Sequence, residues 1–382
     1  MKIGDVLVEF KLSPVENHEY EILTLTEKNG FIRQVDRFKK RLATEDISKY
    51  KVVERNTIAF NPYLLWAGAL ALNDNFDGGI VSPLYPTFRV KEDVDAEYLL
   101  AVLLSPQMIQ QFDQISYGSV PRKRRSSVKD FLNLQLPELP SLGEQKRIAE
   151  ILGGVSKAIQ KTKVQLLLVD ILKENKYLSL SKDADTFKSL KDLGVKKITG
   201  KSIVAKPDNE HGINQIIKVS AVSSGRFIAS ETKPLPADYE PNNLHEIHQG
   251  DLLFARASGS ANLLGACCIV DKEIQHLYLP DKVWKLEVDE DILPKVYLLQ
   301  ALRGREFRSV AESHFSSSTG VKNIKTSVLM EFKIPVLKQD QFSDYVHFVK
   351  TLDNLRHLLH RKLSLLQELQ KSLANRAFAG LL

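Results

Sequence analysis

Cysteine is almost missing from this chain of 382 residues: Cys267 and Cys268 are the only two, and they are adjacent. Such a pair cannot staple a small domain and fits neither common zinc-site spacing, so two small buried thiols are expected. Long hydrophobic runs are missing as well. Stretches such as Tyr63–Leu72 fall well short of the roughly 20 residues that span a bilayer. The opening, MKIGDVLVEF, carries Lys2, Asp5 and Glu9, unlike a secretory leader. A cytoplasmic protein without membrane segments is expected. Nor is there a strong charge of one sign: 53 Lys and Arg against 47 Asp and Glu leave +6, which permits a polyanionic partner without demanding one. With 43% apolar residues there is ample material for packed cores. At roughly 150 residues per domain the length suggests two or three of them.

Catalytic signatures are equally scarce. We find no phosphate loop, dinucleotide fingerprint, metal cluster or nucleophile elbow. Gly78-Gly79 lacks the third glycine of a cofactor loop, and in ASGSA (257–261) Gly259 stands where an elbow needs serine. His245 with His248, and His357 with His360, have helical spacing but complete no ligand set, and are read as surface or helix-face histidines. Asn61-Pro62-Tyr63 resembles the Asn-Pro-Pro-Tyr loop of DNA adenine methyltransferases, yet the second proline and an upstream glycine-rich loop for a methyl donor are lacking. A strand over Asn56–Phe60 ending in a proline turn is the expectation there. No enzymatic activity is expected of this chain.

Comparing the chain with itself reveals what is present. Shifted by 197, the segment 155–172 lands on 352–369, with apolar residues coinciding at Val155/Leu352, Ala158/Leu355, Leu166/Leu363, Leu168/Leu365, Val169/Leu366 and Leu172/Leu369. Upstream, LQLP ending at Pro137 matches FKIP ending at Pro335, and AEYLLAVLLSPQM (96–108) matches KVYLLQALRGREF (295–307). Three landmarks in one order point to an internal duplication. The fold expected is α+β, with strands at 52–60, 84–90, 216–222, 252–255, 267–270 and 283–288 and helices at 98–104 and 107–115, the second capped by Ser105-Pro106.

Each half should end in a long helix. From Ile148 the stripe Leu152, Val155, Ile159, Thr162, Leu166, Val169 repeats every 3.5 residues, the coiled-coil period. The second copy gives Tyr345, Val349, Leu352, Arg356, Leu359, Leu363 and Leu366, broken at Arg356. The seam is thus assigned to Leu152, Val155, Ile159, Leu166, Val169, Leu352, Leu359, Leu363 and Leu366. The helices are expected to pair with each other, antiparallel, rather than lie on their own domains, restoring a pseudo-two-fold. Four segments result: domains at 1–142 and 181–338, and helices at 143–180 and 339–382.

About 35 helical residues span roughly 50 Å, enough to place two domains on DNA half-sites one turn apart. Basic residues recur at matched places: Arg122, Lys123, Arg124 and Arg125 in one half, Lys322, Asn323 and Lys325 in the other. Arg256 and Lys282 complete the candidate DNA contacts.

At this point the chain resembles, over essentially its whole length, the specificity subunits of type I restriction-modification enzymes. LPELPSLGEQKRIAEIL (136–152) is similar to the family's proline-rich lead into EQ-x-x-IA-x-IL; GSVPRKRRSSVKDFLNLQLP (118–137) resembles the close of a target recognition domain; SLANRAFAGLL (372–382) resembles the family's ending. The resemblance implies two target recognition domains reading the halves of a split double-stranded DNA site. It implies two helices that space them and dock two methyltransferase subunits, with restriction subunits in the full complex. The chain itself would hold no cofactor; S-adenosylmethionine would sit on the methyltransferase partners, and ATP and Mg on the restriction partner. In the second copy, VLKQDQFSDYVHFV (336–349), only Gln341 and the apolar spacing survive from the signature. A split type II system with the same kind of reader, a free-standing methyltransferase, and a coiled-coil scaffold joining protein-binding domains are the alternatives.

Overall fold

The structure, a computed structural model, describes residues 1–15, 18–27, 30–37, 47–118, 124–203, 211–260, 263–314, 316–318 and 321–378. The chain is of mixed α/β character and divides into two compact units, Met1–Lys163 with Arg361–Leu382, and Val164–His360. Both dividing points fall inside long helices, Leu142–Lys182 and Gln339–Phe378, which start 197 residues apart.

In the first unit, Leu7–Phe10, Thr87–Val90, Thr57–Phe60 and Leu70–Leu72 lie side by side, in that order, as an antiparallel sheet. Helices Ala96–Leu103 and Pro106–Gln114 follow, the first capped by Asp95 and the second by Ser105, with proline in its first turn. A two-stranded hairpin, Ser116–Tyr117 with Arg125–Ser126, and the short helix Val128–Asn133 lead to the first long helix. Phe60, Phe88, Tyr98, Phe112 and Phe131 form the centre of the core, and burying each such side chain contributes about 1.5–3 kcal/mol before entropy is subtracted.

In the second unit the antiparallel sheet runs Lys196–Thr199, Val283–Glu287, Leu252–Ala255, Cys267–Ile269. Helices Lys295–Arg303 and Arg305–His314 follow, then the hairpin Ser316–Ser318 with Val321–Asn323, the short helix Thr326–Met330, and the second long helix. Phe254, Trp284, Tyr297, Phe307 and Tyr345 centre its core.

Several expected elements are revised. The run 52–60 is two strands, Lys51–Glu54 and Thr57–Phe60, in different sheets. Asn56, at φ +64°, turns the chain between them, and the fully buried Asn73 secures the turn by donating from Nδ2 to the Val53 and Glu54 carbonyls. The strand expected at 84–90 is confined to Thr87–Val90, after Pro86. Where 216–222 reads as one strand, the strand is His211–Ile217 and Ser220–Ser223 is a helical turn. Cys267 and Cys268 are both buried free thiols.

The long helices bury one stripe. On the first, Gln145, Ile148, Leu152, Ile159, Thr162, Leu166, Val169, Lys173 and Tyr177 are buried at steps of three or four residues, with one step of seven that the half-buried Val155 divides. Contrary to the expectation that neither helix lies on its own domain, Ile148, Ala149 and Leu152 pack into the first unit's core, and Phe342, Tyr345 and Val349 into the second's. The reason is that each globular part leaves an apolar face that its adjoining helical turns cover first.

Candidate nucleic-acid interface

Of the basic run after Pro121, Arg122 and Lys123 lie outside the described residues. Arg124 and Arg125 stand at the second strand of the hairpin, where Arg125 faces Tyr117 and Ser126 faces Ser116. The hairpin is fixed from beneath: the Ser116 and Ser126 hydroxyls are 2.7 Å apart and buried, Ser116 Oγ donates to the Phe112 carbonyl at 2.7 Å, and Ser126 N donates to the Pro62 carbonyl at 2.9 Å. Asn61-Pro62-Tyr63 is therefore a structural turn under the hairpin, with Asn61 Oδ1 accepting from Tyr63 N at 3.0 Å.

The two arginines have different tasks. Arg124 is turned inward, donating to Asp113 Oδ1 and the Asp113 carbonyl at 2.6 Å each and to the Ser116 carbonyl at 3.1 Å, with its guanidinium over Trp66. It holds the hairpin against the end of helix Pro106–Gln114. Arg125 is exposed, with its guanidinium 5.7 Å from the Tyr63 ring centre, beside Tyr117, which is 65% exposed. A cation and an aromatic face presented together suit phosphate contact and base stacking.

In the second unit the structure gathers Arg256, Lys282, Lys322 and Asn323 on, or at the ends of, adjoining strands. Arg256 N donates to the Lys282 carbonyl at 3.1 Å, and Ala257-Ser258 pairs with Asn323 and Lys322. Arg256 donates from Nε to the Asp281 carbonyl at 2.8 Å and lies over Trp284. Lys282 is exposed, as is Lys325, which starts the helix Thr326–Met330. Sequence reasoning missed the aromatic supports. The chain's two tryptophans, Trp66 and Trp284, each lie under an arginine of the candidate set. Their rarity is the one signal that could have marked them, since their spacing does not follow the internal repeat.

Other singled-out features resolve locally. Gly79 is needed because a Cβ there would stand 2.6 Å from the Leu23 side chain. His248 lies 3.0 Å from Glu273, whose carboxyl is held below the usual range by the Gln249 amide and then by His248. Both thiols are pushed up by burial, Cys268 to about 12, so neither is a nucleophile.

The seam residues Leu152, Ile159, Leu166, Val169, Leu352 and Leu359 are buried, while Val155, Leu363 and Leu366 are half-buried. Away from the stripe, Val164, Leu167, Leu168, Ile171 and Leu172 on the first helix are exposed, as are Leu355 and Leu358 on the second. The two glutamines of the signature also act inside their units. Gln145 is buried, donating to the Pro140 carbonyl and accepting from Asp95 N, so it ties the long helix to the start of Ala96–Leu103. Gln341 accepts from Lys338 N and caps its own helix.

No family model matches the chain. The type I restriction enzyme EcoKI specificity subunit of Escherichia coli K12 is 25% identical over 296 residues, 71% of this chain and 62% of that protein. The EcoEI specificity subunit of Escherichia coli is 29% identical over 184 residues, 45% of this chain and 31% of that one. The chain thus spans less than two thirds of the length of these relatives. A solved type I restriction-modification S subunit from M. genitalium shares the fold with a TM-score of 0.60 at 14% identity, over 99% of this chain and 95% of that one. A chain from a study of complex assembly and conformational transition in the type I system gives 0.54 at 14% identity, over 100% and 97%. In sequence and in fold, then, this chain is similar to the specificity subunits of type I restriction enzymes.

Proposed function

We propose that the chain is the DNA sequence-specificity subunit of a type I restriction-modification complex. Each globular domain, 1–142 and 181–338, reads one half of a bipartite double-stranded DNA site. The observation that carries this reading is a recurrence: sheet, helix pair, basic hairpin, short helix and long helix follow one another in the same order in both units, with the basic hairpin at the same step. The same recurrence supports an internal duplication with two-fold pseudo-symmetry. Arg125, Lys282, Lys322, Asn323 and Lys325 are the proposed DNA contacts, together with Arg122 and Lys123 from the stretch outside the described residues. Arg124 and Arg256 act as supports that hold the hairpins in place.

The long helices form an antiparallel pair through the seam given above, space the two domains and dock two methyltransferase subunits. The exposed row Leu167, Leu168, Ile171 and Leu172 is the apolar face offered for that docking. The chain is non-catalytic. S-adenosylmethionine belongs to the methyltransferase partners, and ATP and Mg to the restriction partner; the setting is cytoplasmic.

Co-expression with the methyltransferase subunit of the same system, followed by mapping of methylated adenines, tests the reading. Methylation confined to one split motif is expected. A well-formed complex that methylates nothing, or methylates without sequence preference, overturns it. Because phosphates are contacted, affinity should also fall linearly on a log–log plot against salt.

A further inference from the structure

Within the second unit a cavity of 380 Å³ is lined by four arginines from three stretches of chain: Arg226, Arg303 with Arg308, and Arg356. Two carboxylates, Asp170 and Glu174, face them. Asp170 is shared, in close contact with Arg356 and 3.9 Å from Arg226. Arg308 lies 3.7 Å from Glu312. Arg303 is braced by carbonyls, donating from Nε and Nη2 to Cys267 at 3.3 and 3.0 Å and from Nη2 to Gly225. Arg356 is 17% exposed at its side chain, and its buried Nε donates to nothing among the described residues. His360 lies 3.2 Å from Arg226, and its imidazole is held below its ordinary range by burial and then by Arg226 and Arg356.

We propose that this cavity binds a small phosphate-bearing anion. Guanidinium groups are flat, permanently charged forks that match phosphate oxygens two at a time. Four guanidinium groups line the cavity against Asp170, Glu174 and, at Arg308, Glu312, and the buried Arg356 Nε without an acceptor is costly unless a ligand supplies one. A phosphate brings both the negative charge that guanidinium groups attract and an oxygen for that Nε. The volume lies at the lower end of ligand cavities, roughly 300–1,000 Å³, suited to phosphate, pyrophosphate or the phosphate end of a nucleotide. The site binds and does not react: the neighbouring Cys267 thiol is pushed up by burial and stays protonated. None of the four arginines belongs to the basic hairpins, so the site stands independently of how DNA is read.

The test is calorimetric titration of the full-length chain with inorganic phosphate, pyrophosphate and ATP, at constant ionic strength set with chloride. At least one should bind with 1:1 stoichiometry. Arg226→Ala, at a side chain 50% exposed and so tolerant of truncation, and Arg356→Lys, which keeps the charge but loses the fork, should each weaken it about tenfold or more. Binding of phosphate and pyrophosphate assigns a free inorganic anion; binding of ATP alone assigns a nucleotide. Absence of binding by all three, or binding equally strong in both variants, overturns the proposal.

Discussion

In the first unit the stretches 142–163 and 361–378 of the two long helices share one core through Ile148, Ala149, Leu152, Leu373, Ala374, Ala377 and Phe378, and Gln370 Nε2 donates to Ser156 Oγ at 2.8 Å. In the second unit charge enters the stripe: Lys173, 9% exposed, meets Asp353 at 2.5 Å, and Arg356 meets Asp170. The apolar half supplies adhesion, which is indifferent to small slips. The charged half adds little net stability, because desolvation offsets most of the attraction, but any slip would strand a buried cation. Adhesion and register are therefore assigned to opposite halves of the same pair of helices.

That contrast can be broken. Leu152→Asp puts a carboxylate in the apolar half with no cation of the stripe beside it and should cost on the order of 4 kcal/mol in chemical denaturation; an unchanged transition would mean that no such seam exists. In the charged half, Lys173→Met should cost roughly 1–3 kcal/mol, toward the lower end because Asp353 is 42% exposed at its side chain. Adding Asp353→Leu should restore most of it. A double variant less stable than either single one would assign the pair to stability after all.

The hairpins sharpen the comparison at a smaller scale. Arg124→Ala should cost roughly 1–2 kcal/mol, since Asp113 and the Ser116 carbonyl lose their donor. Arg125→Ala should stay within about 0.5 kcal/mol of the parent while weakening DNA binding by the assembled complex. The opposite pattern would exchange their roles. The smallest effect expected is on pH dependence. His360 has its folded value below the ordinary 6.5, so the unfolded chain takes up protons first on acidification. Its contribution is complete above 6.5 and is lost as pH falls through the folded value. His360→Gln should flatten the melting temperature between about pH 7 and pH 5, partially, because His245 is lowered in the same direction by burial and by Lys201 and Lys285.

The helices were the most legible part, since one buried stripe at a 3.5 period is written directly into residue spacing. Arg356 stood out only as a break in that stripe; its partner Asp170 lies 186 positions earlier in the chain, and no local pattern could join them. The division of 52–60 into two strands is not legible, because Arg55-Asn56 carries no glycine or proline to announce the turn that Asn56 makes. In the candidate site the basic residues were legible from composition, but Arg124 and Arg125 are neighbours of one type, and only tertiary contacts separate a strut from an exposed cation. Trp66 and Trp284 escaped because each supports its arginine from a non-matching position in its half.

The first unit's core contains Ala377, and Phe378 packs edge-on against Tyr98. Synthesis proceeds from the N-terminus at roughly 5–20 residues per second, so this unit waits for residues made more than 200 positions after its own sheet is complete. During that interval the apolar surface around Tyr98 and Leu152 remains open on the ribosome, while the Val164–His360 unit can close on residues already made. The unit begun first is thus the one finished last, and a chain that stalls near its C-terminus would expose a defect in its N-terminal domain.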